Sequence, residues 1–196
     1  MRLAPDGNVT LADLLVPNPS VLDVWSDREL TFVPRTGTRD RHGRFLVDGF
    51  DEDGVSIAER LLERGDAVLW PAPGVIPLSE LTAAERNARD RGAGLWSDPR
   101  HAVAAVPAVG FRNRFVIMRG RVIAVAERRV FDYLNFEDDW RNDSSVRIRK
   151  SALKRAGETI DTAALAGKKI EVKGFLFEAG GPMIEVSRAH QVRILP

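Results

Sequence analysis

Phe115 to Ala126, FVIMRGRVIAVA, is the stretch on which the fold turns. Its apolar and β-branched residues continue for longer than a common strand of five or six residues, and Gly120 stands inside the run. Glycine packs no side chain and frees the backbone, so a bulge or sharp bend is expected there. Downstream, Val130 to Phe136 and Ser145 to Ile148 read as two further strands between turn residues. A polar helical stretch from Ser151 to Ala166 is interrupted at Gly157. Lys169 to Phe177 and Met183 to Ser187 supply two more strands, with a last short one near Gln191 to Leu195. Three strands, a helix and then two or more strands is the order of a five-stranded oligonucleotide- and oligosaccharide-binding (OB) barrel, in which one long bent strand serves both sheets.

Upstream, Ser97 to Val109 (SDPRHAVAAVPAV) carries two prolines and no periodicity, which predicts a linker with a boundary near Ala105. The N-terminal half reads as short strands at Val9–Val16, Val21–Trp25, Leu30–Val33 and Arg44–Gly49, followed by a DEDG turn at Asp51–Gly54. Ile57, Ala58, Leu61 and Leu62 then recur at helical spacing, and Gly65 ends that helix. A second helix spans about Leu78 to Arg91, with Leu81, Ala84 and Ala88 inward. Gly92 and Gly94 stop it, and Leu95-Trp96 folds back, Trp96 pinning the helix end to the core.

The 196 residues suit one large domain or two small ones. Apolar residues at 44% and charged residues at 29% are the proportions of a globular chain. No apolar run approaches the length of a membrane-spanning helix, so no such segment is expected. Met1 to Asn8 lack the basic flank and apolar stretch of a signal peptide. A cytoplasmic location is therefore the default expectation, and an exported or periplasmic one follows only if a leader has been removed. Without cysteine there is no disulfide, thiolate zinc site or cysteine nucleophile, and His42, His101 and His190 are too dispersed for a ligand cluster, so no metal ligands are assigned. The net charge of +1 hides an asymmetry: residues 1–108 carry −5 and residues 109–196 carry +6. An acidic half joined to a basic half predicts two domains with different surfaces, the basic one suited to an anionic partner.

Two stretches carry a resemblance. Arg39 to Arg44, RDRHGR, precedes a strand, a turn and a helix, and later Leu78 to Pro99 reads LSELTAAERNARDRGAGLWSDP. In order, spacing and the terminal Gly94-Leu95-Trp96 this resembles the thermonuclease (staphylococcal-nuclease-like) family, closely over residues 38–99 and poorly over residues 9–37. Tyr133 to Arg149, YLNFEDDWRNDSSVRIR, is similar to the domain appended to some bacterial thermonuclease-like proteins. The resemblance implies a chain that is mainly β with a few helices. It would hold two five-stranded OB-type barrels in tandem, a thermonuclease-like one over residues 1–105 and a basic OB-like one over residues 110–196.

The resemblance also implies phosphodiester hydrolysis with one calcium ion, a carboxylate base and two arginines on the phosphate. Calcium takes six to eight oxygens, and arginine forks match phosphate oxygens. Aligned on Pro17, however, Thr10 to Asn18 (TLADLLVPN) puts Thr10 at the first arginine, Leu15 at the metal-binding aspartate and Asn18 at the base. Arg44 alone falls on a family position, as a remnant phosphate-clamping arginine or as a brace of the barrel. The expectation is a catalytically silent nuclease fold that needs no cofactor. The alternative is a calcium-dependent nuclease with a rearranged acidic set drawn from Asp13, Asp23, Asp27 and Asp40, or from the turn of Asp51, Glu52 and Asp53.

In the second domain Phe131 and Tyr133 face outward if Leu134 and Phe136 fill the barrel, where bases could stack on them. Arg128, Arg129, Arg141, Arg147, Arg149 and Lys150 lie near in sequence as phosphate contacts. The same aromatics could instead form an interdomain seam. The expected partner is single-stranded nucleic acid or another protein, the chain then being a binding module or a subunit of a larger assembly.

Overall fold

The computed structural model describes residues 2–3, 7–40, 42–71, 79–97, 102–104, 115–136 and 144–196. The protein is mainly β with a few helices. It separates into two compact units, Met1–Asp98 and Pro99–Pro196, each with its own apolar core.

In the first unit β1 (Arg2–Leu3), β2 (Gly7–Leu11), β4 (Thr31–Arg39) and β5 (Phe45–Phe50) form a sheet in the order β1-β2-β5-β4. β2 runs parallel to β5, with Val9 opposite Phe45 and Leu11 opposite Val47, while β4 runs antiparallel to β5. Pro34 lacks an N–H and sits in the outermost strand, where the missing donor costs no ladder bond. β3 (Leu14–Leu15) pairs with β6 (Val68–Leu69) apart from this sheet.

Helix α1 (Ile57–Arg64) starts where the Ser56 hydroxyl accepts the Glu59 N–H at 3.3 Å and stops at Gly65, left-handed at φ 71°. Its buried face is Ile57, Ala58, Leu61 and Leu62, as the spacing predicts. Leu81 and Ala84 of α2 (Ser79–Asp90) pack into the same core, with Trp25. Trp96 is half-buried and lies under Arg89, whose guanidinium carbon is 3.7 Å from the ring centroid.

Several expectations for this unit are corrected. Val21–Trp25 is not a strand but belongs to a 3-10 helix, Pro19–Trp25. The Asn18 side chain caps the start of that helix, and proline occupies its first position without losing a needed donor. Val9–Val16 is broken by a turn at Ala12-Asp13, where Asp13 has φ 62°. The strand expected at Leu30–Val33 runs on to Arg39.

In the second unit β7 (Ala102–Ala104), β8 (Phe115–Arg121), β9 (Ala124–Glu127), β10 (Phe131–Asn135), β11 (Ser145–Arg149), β12 (Lys169–Glu178) and β13 (Pro182–Val186) follow the path β7-β8-β12-β13-β11-β10-β9. β14 (Val192–Ile194) pairs with β12. β11 and β13 are parallel, whereas β12–β13, β10–β11, β9–β10 and β8–β12 are antiparallel. By ladder pairing among the described residues no sheet closes into a barrel.

The break in the long run Phe115–Ala126 falls at Val122-Ile123, two residues beyond Gly120, which keeps its ladder partner Ile170. There Ile123 N–H reaches the Asn135 carbonyl at 2.8 Å and Val122 N–H the Lys168 carbonyl at 2.9 Å. The inferred linker also contains β7, parallel to β8 of the second unit. The polar stretch Ser151–Ala166 holds only α3 (Lys150–Arg155) and a 3-10 turn at Ala163–Leu165, because Gly157 at φ 67° ends the helix. Leu134, Val146, Ile148, Leu176 and Ile184 make the centre of the core. Among the described residues no helix is long and apolar enough to cross a membrane.

Candidate functional site

Two places hold the residues singled out in the sequence. In the first unit, Arg44 follows a turn that reverses at Gly43 and leads into β5. The Asp40 carboxylate organises this turn. It accepts the N–H groups of His42 at 2.8 Å and Arg44 at 3.0 Å, and the Arg44 guanidinium donates through Nε at 2.9 Å and Nη2 at 2.8 Å. The Arg44 backbone N–H contributes most to holding the Asp40 carboxyl down at about 2, against the opposing effect of burial. Arg44 therefore spends one edge of its fork inside its own turn.

Thr10, Leu15 and Arg44 line one cleft of about 380 Å³, with Leu11, Leu14 and Leu22 among its walls. The fold thus brings together Thr10, Leu15 and Arg44, the three positions that the expected resemblance would assign to an arginine, a metal ligand and the second arginine. Asn18, aligned with the base, accepts the Ser20 N–H at 3.2 Å and hydroxyl at 2.9 Å and so serves as a helix cap.

The acidic side chains nearby are committed elsewhere. Asp13 is fully buried and ion-paired with Arg35, Nη1 to Oδ2 at 2.5 Å. Asp48 takes the other edge of Arg35, Nε at 2.9 Å and Nη2 at 2.8 Å. Hydrogen bonding to Asp48 and the nearby charge of Asp13 raise the Arg35 pKa despite burial. Asp51 accepts the N–H groups of Asp53 at 3.1 Å and Val55 at 2.9 Å and pairs with Arg60 at 2.6 Å. Asp23 and Asp27 are exposed. Among the described residues no group of three or more His, Asp or Glu is placed to hold a metal ion. A cleft walled by leucine, valine and threonine does not fit calcium, which needs a cage of oxygens.

The second place is the outer face of the second unit. Along β10, Asp132 and Leu134 are buried, while Phe131, Tyr133 and Asn135 are half-buried on the other side. Register puts Phe131 opposite Arg149 and Tyr133 opposite Arg147, and Arg147 opposite Glu185 on β13. The Arg147 guanidinium carbon lies 4.8 Å from the Phe131 ring centroid and 4.7 Å from that of Phe177 on β12. Arg149 lies 4.9 Å from Phe131, and the Phe131 and Tyr133 rings are 6.2 Å apart. Four strands thus contribute to one patch of three rings, two guanidinium planes and a carboxylate.

Glu185 ties the patch together. Its Oε2 accepts Arg147 Nε at 2.7 Å and Nη2 at 2.6 Å, and it also accepts Arg149 Nη2 at 2.9 Å. Its Oε1 accepts Arg149 Nε at 2.5 Å. Burial alone would raise the Glu185 carboxyl, but the hydrogen bonds from Arg149 and Arg147 hold it below its ordinary value. The bond to Glu185 in turn raises the Arg149 pKa.

Among the described residues the remaining predicted contacts do not join this patch. Lys150 begins α3 and reaches Asp132 Oδ1 at 2.8 Å, on the side of β10 opposite to Phe131 and Tyr133. Arg128 is exposed in the turn before β10, with Nη1 on the Glu127 carbonyl at 3.0 Å, and Arg129 is exposed beside it. Arg141, like the acidic loop around Trp140, lies outside the described residues. Sequence reasoning missed Glu185 and Phe177. Glu185 lies between buried Ile184 and Val186, but only the parallel register of β13 on β11, with β12 antiparallel beside β13, shows that Glu185 and Phe177 come to Arg147.

No family model matches the chain. The succinoglycan biosynthesis protein ExoI of Rhizobium meliloti (strain 1021) is 38% identical over 77 residues, which is 39% of this chain and 38% of that protein. The chain thus spans well under half the length of this curated relative.

Proposed function

We propose that the protein is a catalytically silent thermonuclease-like chain that binds single-stranded nucleic acid on the outer face of its second unit. Both units are read as OB-type barrels. In the second, β8 and β9 are two halves of one strand bent at Val122-Ile123; one half pairs with β12 and the other with β10. With β11 parallel to β13, that path supports a five-stranded barrel whose first strand is β8–β9, with β7 added beside β8. In the first unit the parallel β2–β5 pair and the helix packed after β5 support the nuclease-like assignment.

Silence is supported by the chemistry of the Arg44 cleft: hydrocarbon walls, a capping amide at Asn18, and aspartates already paired with Arg35. The observation that carries the binding proposal is the assembly of the half-buried Phe131, Tyr133 and Phe177 with Arg147 and Arg149 on one side of the sheet. OB barrels take single strands across this kind of face, stacking bases on aromatic rings.

The test is binding of a labelled oligothymidylate to the wild-type chain and to Phe131→Ala and Tyr133→Ala. Each substitution is expected to weaken binding roughly 5- to 150-fold, the loss of one stacked base at about 1–3 kcal/mol. The strand should stay intact with calcium present. Calcium-dependent cleavage abolished by Arg44→Ala would overturn the silent reading. Saturable binding of a protein or an oligosaccharide, with none of the oligonucleotide, would overturn the nucleic-acid reading.

A further inference from the structure

We propose that Glu185 converts Arg147 and Arg149 from phosphate ligands into part of a stacking platform, so that this face takes a single strand by its unpaired bases and not by its backbone. The inference rests on the proposed binding function and specifies what part of the ligand is recognised.

Arginine grips a phosphate with the paired N–H groups along one edge of its fork. Both arginines here spend the Nε–Nη2 edge on Glu185, with donor–acceptor distances of 2.5 to 2.9 Å. Nη1 and the flat body of each guanidinium remain, and the guanidinium carbon of Arg147 lies within 5 Å of the ring centroids of both Phe131 and Phe177. A planar guanidinium stacks on a base much as an aromatic ring does.

The charge count agrees. Two guanidinium groups and one carboxylate leave the patch a single net positive charge, spread over four strands. From Phe177 on β12 to Tyr133 on β10 is three strand spacings, about 14 Å. That span offers several planar groups in succession: Tyr133, Phe131, Arg147 and Phe177. Lys150, the cation nearest in sequence, pairs with Asp132 on the opposite side of β10 and cannot track a backbone across this face.

Salt dependence separates base recognition from phosphate recognition, because each phosphate contact to a single strand adds about 0.7 to the slope of log K against log salt. The full chain is titrated with labelled oligothymidylate between about 50 and 200 mM salt, beside an abasic strand of the same length. For the wild type a slope below about 1 is expected, and the abasic strand should lose binding. Glu185→Gln keeps the shape of the side chain and removes the charge, and one of the two acceptor oxygens, that hold the forks. It should bind more tightly at low salt and steepen the slope by up to about 1.4 for two new phosphate contacts.

A wild-type slope of about 2 or more would overturn the inference while leaving the binding function standing. Equal binding of the abasic strand would do the same, and so would a Glu185→Gln protein, folded by circular dichroism, with an unchanged slope. No binding of either strand by the wild type would overturn both. The abasic comparison needs no variant, so the inference stays testable if Glu185→Gln does not fold.

Discussion

Nη1 of Arg35 lies 2.5 Å from Oδ2 of Asp13, a carboxylate with no exposed surface at a backbone position of φ 62°. The side chain of Arg35 is itself only 17% exposed. A carboxylate out of water is tolerable only while its partner remains, so the two residues are coupled more strongly than a surface pair. Arg35→Leu should destabilise the first unit by about 3–5 kcal/mol, whereas the double variant Arg35→Leu/Asp13→Leu should cost clearly less. Denaturant unfolding of the four proteins in the cycle checks this, and equal losses in the single and double variants would refute the coupling.

Gly94 crosses the backbone of Gly65 so closely that a Cβ there would sit 2.5 Å from the Arg64 carbonyl oxygen, with φ at 53°. Gly157 has a similar φ of 67° but open space around the position of a Cβ. Gly157→Ala should therefore cost only the left-handed strain, about 1–2 kcal/mol, and Gly94→Ala distinctly more. Thermal melts of both variants give the comparison, and a similar shift in the two would count against the close crossing.

Burial pushes the His190 imidazole down from 6.5 to about 4, with Lys173 and Arg188 adding to the effect and Glu158 opposing it. The unfolded chain then binds a proton at a higher pH than the folded one does. The resulting stability is fully present above pH 6.5 and is lost as pH falls toward 4. His190→Asn should flatten the stability profile of the second unit across that window. A profile as steep as the wild type's would place the acid sensitivity elsewhere.

How far the sequence could be read depends on how local each cause is. The alternation in FDYLN placed Tyr133 and Phe131 outward, because strand parity needs no partner to be known. Val130, the first residue of the expected strand Val130–Phe136, is instead 45% exposed in the turn before the strand. Val21–Trp25 was misread because VLDVW suits a strand by composition, although its apolar residues recur at i, i+1, i+3 and i+4 and its cap at Asn18 is legible. Of the five described basic residues that lie near in sequence, Arg147 and Arg149 meet the rings. Their shared pairing with Glu185 is hidden because it joins residues 36 and 38 positions apart in sequence. The commitment of Asp13 to Arg35 is hidden for the same reason.

Amide hydrogen exchange of the full chain, with and without an oligothymidylate strand, tests the central claim most directly. The account predicts slowed exchange in Phe131–Asn135 and Ser145–Arg149, with β2 and the turn before Arg44 unchanged. Protection centred on Thr10 and Arg44, or none anywhere at saturating strand, would contradict it.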